Sequence, residues 1–228
     1  VPAAAHWLAL RLPASIEQRL GDEILRQLDL RLFQASRLPQ DRRDALTRRF
    51  AAAAQAAAPD VAYRLAYRKV GGGQGVNAMA LPGGTIVLLD GLVELANDDD
   101  ALMGVLGHEL GHVAAKHSLR QLLQSLGIGA LAGVVWGDFS HVAANVPIAF
   151  GILRYSRDFE READEFGIAL LQASGISTHP LADLFTTLEQ RERERGVRKR
   201  GAIETPAILS SHPPSDERMQ RLREAGGP

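Results

Sequence analysis

The sequence predicts an α+β chain, mostly helical. Two observations carry that expectation. Apolar residues recur at helical spacing over long stretches on both sides of the chain's middle. Between them, residues 61 to 89 are rich in β-branched and aromatic residues and are interrupted by glycine and proline, which is strand-and-turn chemistry.

The elements follow in order. From Ala14 to about Phe33, Ile16, Leu20, Ile24, Leu28 and Leu32 recur at four-residue steps, an amphipathic helix with Arg and Glu on its other faces. A second helix runs from Asp41 through the alanine-rich "FAAAAQAAA" and stops at Pro59. Arg42, Arg43, Arg48 and Arg49 read as a solvated face of that helix. "VAYRLAYRKV" reads as a strand ended by Gly71 to Gly73, and these glycines lack the Gly-Lys-Ser/Thr ending of a phosphate cradle. "VNAMALPGGTIVLL" reads as two short strands around a Pro82-Gly83-Gly84 turn, followed by a short helix at "DGLVELAN". Asp98, Asp99 and Asp100 then precede an apolar periodic run, Ala101 to about Leu119, where acids favour a helix start. "RYSRDFEREADEFGIALLQAS" is a helix closed by Gly175, "THPLADLFTTLEQRERERG" another, and "SSHPPSDERMQRLREA" ends in a short one.

At 228 residues the chain fits one domain of ordinary size, here read as residues 61–228, with an N-terminal helical extension over residues 1–60. A hydrophobic content of 46% is enough for a sizeable core. The net charge of −1 gives no general attraction to nucleic acid, and none is expected as a partner. Without cysteine, a thiol nucleophile, a Cys-ligated metal and disulfides are all excluded. The chain begins at Val1, so its start says nothing about a leader or an anchor. No stretch reaches the length of a clean membrane span. Residues 121–153 hold two uncharged apolar pieces in succession, which read as a lid, a buried hairpin or a membrane-dipping element.

Chemistry concentrates in "GVLGHELGHVAAKH". Residues four apart on a helix differ by about 40° around its axis, so His108 and His112 project from one face. Two neutral imidazoles there can take two corners of a zinc tetrahedron. Glu109 sits about 100° further round, off the metal and suited to take a proton from water. The competing reading is two histidines that happen to lie a turn apart, so the motif needs a third ligand. "FEREADEF" offers Glu160, with Asp164 on the same face to accept the other ring N–H of a zinc histidine. Asp158, Glu162 and Glu165 beside them read as solvated acids, which is also the plain alternative for Glu160. His117, five residues after His112, falls about 140° round a continuous helix and cannot share the metal. His6, His141 and His179 have no motif around them.

"GHELGHVAAKH", then "YSRDFEREADEFGIALL", then "SSHPPSDERMQRL" resembles the gluzincin metallopeptidases of the HtpX, BepA and CAAX-prenyl-protease type, the forty-eighth metallopeptidase family. The three blocks occur in order and cover Asn77 to Leu222. The resemblance implies a zincin catalytic domain with one Zn2+ on His108, His112 and Glu160, Glu109 as general base, and Asp164 behind the ligands. It implies a small sheet whose edge strand, "NAMALPGG", borders the cleft and pairs with an extended substrate, with Asn77 near its start. His212 matches the family's late histidine, either stabilising the oxyanion or occupying the metal's fourth site at rest. Arg218 is either a structural or oxyanion-side partner or part of a salt bridge.

The expected function is therefore a zinc metalloendopeptidase acting on polypeptides, unfolded or envelope proteins, in quality control of the bacterial cell envelope. It would be periplasmic or membrane-associated, with 121–153 as a membrane contact. The rival expectation is a latent or gated protease that serves mainly as a chaperone-like envelope assembly factor.

Overall fold

The computed structural model of the chain describes residues 2–71, 75–125, 138, 155–198, 208, 212 and 216–226. Its elements are α1 (Pro2–Arg11), α2 (Ala14–Arg31), β1 (Phe33–Ala35), α3 (Gln40–Ala57), β2 (Arg64–Val70), β3 (Ala78–Ala80), β4 (Thr85–Leu89), α4 (Asp90–Leu95), α5 (Asp99–Ala114), α6 (Arg157–Ala173), α7 (His179–Arg198) and α8 (Asp216–Glu224). Residues 117–125 are also helical. The architecture is α+β and mostly helical, with one small mixed sheet.

The sheet order is β1-β2-β4-β3, with β2 and β4 parallel and the other two pairs antiparallel. A turn of 3-10 helix, Pro82–Gly84, joins β3 to β4, and Gly83 and Gly84 take φ of 74° and 87°, values that suit glycine. β4 is buried along its whole length. Its side chains alternate between two cores, as the period of a strand requires. Ile86 and Leu88 join Leu46 and Phe50 of α3, Leu102 and Leu106 of α5, and Leu170, Phe185 and Leu222. Val87 and Leu89 join Leu20, Ile24 and Leu28 of α2, Phe33 of β1, and Leu119 and Leu122. Side chains from before residue 61 thus complete both cores.

β3 is an edge strand beside α5. Leu81 N donates to Thr85 O (2.8 Å) and Leu89 N to Asn77 O (3.0 Å), so the backbone groups of Ala78 and Ala80 face away from the sheet. Ser118 Oγ donates to one of them, Ala80 O, at 2.6 Å.

α5 is the central helix. Asp98 caps it by accepting from Asp100 N, and every residue from Ala101 to His112 is buried. Glycine lets α6 lie against it almost backbone to backbone. A Cβ on Gly111 would fall 2.9 Å from Ala163 Cα, and one on Gly167 3.0 Å from His108 N. Ser156 caps α6 through Phe159 N, and Gly175, at φ 65°, follows its end.

Three details depart from the sequence reading. The first helix ends at Arg31 because Phe33 turns into the buried core as β1. α1 lay outside any periodic pattern. The helix expected to run from Ala101 to about Leu119 ends at Ala114, and Lys116 adopts φ 53° before helix resumes at 117. Lys116 Nζ reaches Glu17 Oε2 on α2 at 2.7 Å across this break. No helix among the described residues is long and apolar enough to cross a membrane. Most of the apolar stretch 121–153 lies outside the described residues.

Candidate metal centre

Four of the residues singled out in the sequence converge. One donor atom from each of His108, His112, Glu160 and His212 lies within 4.8 Å of all the others, and all four residues are buried. Helical spacing puts the two α5 histidines side by side. The close α5–α6 crossing brings Glu160 against them, with its oxygens 3.4 Å from His108 Nε2 and 3.5 Å from His112 Nε2. His212 comes from the chain ahead of α8. Its amide donates to Ile208 O (2.8 Å), and Ile208 N donates to Val76 O (3.0 Å), tying this segment to the approach of β3. His212 Nδ1 lies 2.9 Å from Glu160 Oε1 and 3.2 Å from His108 Nε2.

The donor set fits a metal ion. His108 Nδ1 meets Asp164 Oδ1 at 2.9 Å and His112 Nδ1 meets His117 Nδ1 at 2.9 Å, which leaves both Nε2 atoms turned inward, 3.0 Å apart. Both Nε2 atoms, a Glu160 oxygen and a His212 nitrogen are thus gathered around one point, as ligation of a single cation requires. Three imidazoles and a carboxylate are the ligand types of a zinc-like ion, and a carboxylate behind a ligating histidine is the usual way its ring is oriented.

Arg218 of α8 closes the back of the site. Its Nε and Nη2 donate to Asp164 at 2.7 and 2.8 Å, and Nη1 pairs with Glu160 Oε2 at 2.8 Å. The electrostatics follow from these contacts. Burial opposes charge on His108, but the Glu160 carboxylate and the Asp164 hydrogen bond outweigh it and push its pKa up to about 10. Burial holds His112 well below its ordinary value. Burial works against ionised Glu160 and Asp164 too, yet the neighbouring histidines, with Arg218 on Asp164, keep both below the usual carboxylate range.

Glu109 is fully buried at the same place, and neither of its carboxylate oxygens has a hydrogen-bond partner among the described residues. His212 Nε2 approaches Glu109 Oε1 at 3.3 Å. Asn77 is buried just before β3, where its carbonyl joins the sheet, and is not one of the converging groups.

Two neighbours escaped the sequence reading. Tyr155 stacks on His112 with ring centroids 4.0 Å apart, and its hydroxyl lies 2.7 Å from Ser118 Oγ, linking the site to the edge strand. His117 is not a member of the donor cluster, as its position implied, but it is fully buried against His112. The 140° separation applies to an unbroken helix. The left-handed Lys116 reorients His117, and Glu162, read as a solvated acid, lies 3.0 Å from its Nε2. No pattern in the residues announces a left-handed lysine.

A mostly helical domain with a small sheet, paired histidines on its central helix and a carboxylate from α6, the helix packed against it, defines the zincin class of metallopeptidase. The chain belongs to peptidase family M48, whose profile matches residues 37–226. The metalloprotease YcaL of Escherichia coli (strain K12) is 40% identical over 157 residues, covering 65% of this chain and 58% of its own. Metalloprotease LoiP of the same strain is 31% identical over 156 residues, with the same coverage of each chain. The putative beta-barrel assembly-enhancing protease of Vibrio cholerae serotype O1 is 31% identical over 162 residues, covering 65% of this chain and 32% of its own. This chain therefore spans less than two thirds of the length of these relatives.

Proposed function

We propose that the protein is a zinc-dependent endopeptidase. His108, His112 and Glu160 would hold the ion, Asp164 would orient His108, and Glu109 would be the general base. The observation that carries this reading is Glu109, buried beside the donor cluster with both oxygens lacking hydrogen-bond partners among the described residues. A carboxylate is costly to bury without hydrogen bonds, and His212 Nε2 at 3.3 Å is within ion-pair distance only, so such an arrangement suits a group awaiting a proton donor.

Zinc, when bound, supplies Lewis-acid polarisation of a carbonyl and acidification of water. The rest falls to this chain. Glu109 takes a proton from the attacking water as its oxygen bonds to the scissile carbonyl carbon. The C–N bond then breaks, and Glu109 returns the proton to the leaving amine. His212 Nε2, 3.3 Å from Glu109, stands where a donor could steady the oxyanion. An extended polypeptide would pair with the outward backbone groups of Ala78, since Ala80 O already accepts from Ser118 Oγ, with Asn77 at the start of that strand.

The test is metal content and cleavage of an unfolded protein such as reduced casein, wild type beside Glu109→Gln. About one zinc per chain in both, with cleavage lost in the variant, supports the assignment. Full cleavage by Glu109→Gln would remove Glu109 from the mechanism.

A second reading is favoured by His212 itself, whose Nδ1 lies within the donor cluster. There it would occupy the fourth site and hold the enzyme latent until a substrate or partner displaces it. His212→Ala separates the roles. Faster cleavage marks a blocking ligand, and a fall in kcat at unchanged KM marks an oxyanion donor.

The relatives named as beta-barrel assembly-enhancing proteases support placing this activity in the bacterial cell envelope, on envelope or unfolded polypeptides. Whether periplasmic or held at a membrane is testable by fractionation of the native host.

A further inference from the structure

We infer that His117 is a positioning residue that sets the tautomer and ring orientation of His112, acting as the middle link of a hydrogen-bonded chain that starts at Glu162. The inference rests on reading the His108–His112–Glu160–His212 cluster as a metal centre.

With His117 neutral, the form its full burial favours, the order of donors follows from chemistry. The Glu162 carboxylate is acceptor-only, and it lies 3.0 Å from His117 Nε2, so that nitrogen carries the hydrogen. His117 Nδ1 is then an acceptor. His112 Nδ1, 2.9 Å away, must donate to it, which leaves the lone pair of His112 on Nε2, the atom in the donor cluster. His108 is fixed the same way by Asp164, so each α5 histidine has its own orienting partner. The chain is built rather than incidental. His117 is fully buried and stacks on Phe159 with centroids 4.1 Å apart, the Arg120 guanidinium lies over the Phe159 ring 4.3 Å from its centroid, and Arg120 Nη1 stands 3.7 Å from Glu162. The left-handed turn at Lys116 is what swings His117 back onto His112.

The test measures zinc affinity by competition with a chromogenic chelator, and the tautomer of His112 in the metal-free protein by 15N-resolved NMR of the imidazoles. His117→Phe keeps an aromatic ring on Phe159 but removes the acceptor. The expected result is zinc binding weakened about 10- to 100-fold, with His112 no longer held as the Nδ1–H form. His117→Asn, which restores an acceptor oxygen, recovers part of the loss. Unchanged affinity and an unchanged tautomer in a folded His117→Phe protein overturn the inference. If that variant fails to fold, Glu162→Ala decides: the side chain is largely exposed, and a shift in the His112 tautomer supports the relay while none refutes it. Wild-type protein that takes up no zinc would instead overturn the metal-centre reading itself.

Discussion

Arg218 and Asp164 meet in a two-pronged ion pair, at 2.7 and 2.8 Å, and the same Asp164 oxygen that accepts from Arg218 Nη2 also accepts from His108. One guanidinium therefore holds the carboxylate that holds the first histidine. Arg218 is 8% exposed, so the pair is shielded from water. Arg218→Met would strip the guanidinium from buried Asp164 and Glu160 and leave them only their histidine neighbours. Removing one partner of such a pair costs about 3–5 kcal/mol, and urea unfolding of the metal-free protein is expected to show a loss of that order.

The α5–α6 crossing predicts a second effect. A methyl group on Gly111 would collide with the α6 backbone, 2.9 Å from Ala163 Cα, where no flexible side chain can move aside. Gly111→Ala is expected to destabilise by about 1–3 kcal/mol through overpacking and to weaken metal binding by separating His108 from Glu160. Thermal unfolding and chelator competition on the same sample check both parts.

Metal uptake is expected to release a proton. His108, pushed up to about 10 from 6.5, is protonated near neutrality in the metal-free protein and must be neutral to ligate. Its charge stabilises the metal-free fold fully below 6.5, and that contribution disappears as pH rises through about 10. Metal affinity runs the opposite way, climbing with pH over the same window. Calorimetric zinc titrations in buffers of different ionisation enthalpy would read the released proton directly.

Lys116 predicts a contrast between two substitutions. Its left-handed backbone suits glycine and punishes branching at Cβ. Lys116→Ile is expected to cost about 1–2 kcal/mol, whereas Lys116→Gly trades relief of strain against a partly exposed ion pair to Glu17 and stays near neutral. Urea midpoints of the two variants test this.

Much of the molecule was legible before any coordinates. Regular apolar spacing located α2 and α5, an alanine-rich run stopped by Pro59 located α3, Gly175 closed α6, and the Pro82–Gly84 turn marked the β3–β4 hairpin. Helical spacing put His108 with His112 on one face and Glu160 with Asp164 on another, but only the family resemblance joined the two pairs into one set, because spacing within a helix does not say which helices meet. β1 was not legible, since three residues carry too little periodicity, and their pairing with β2 is a long-range event. His117 was rightly kept off the metal, but its contact with His112 was not legible for a related reason. Its direction depends on one backbone angle at Lys116 that side-chain chemistry does not announce.

The burial of Glu109, Glu160 and Asp164 beside a single Arg218 has a further meaning when their formal charges are counted. With the histidines neutral, as ligation requires, three carboxylates facing one guanidinium leave two negative charges, which is what one divalent ion balances. A monovalent ion would leave the balance unfilled, and a trivalent one would overshoot it. Loading such an ion is therefore expected to stiffen the α5–α6–α8 junction, and stripping it with a chelator to soften it.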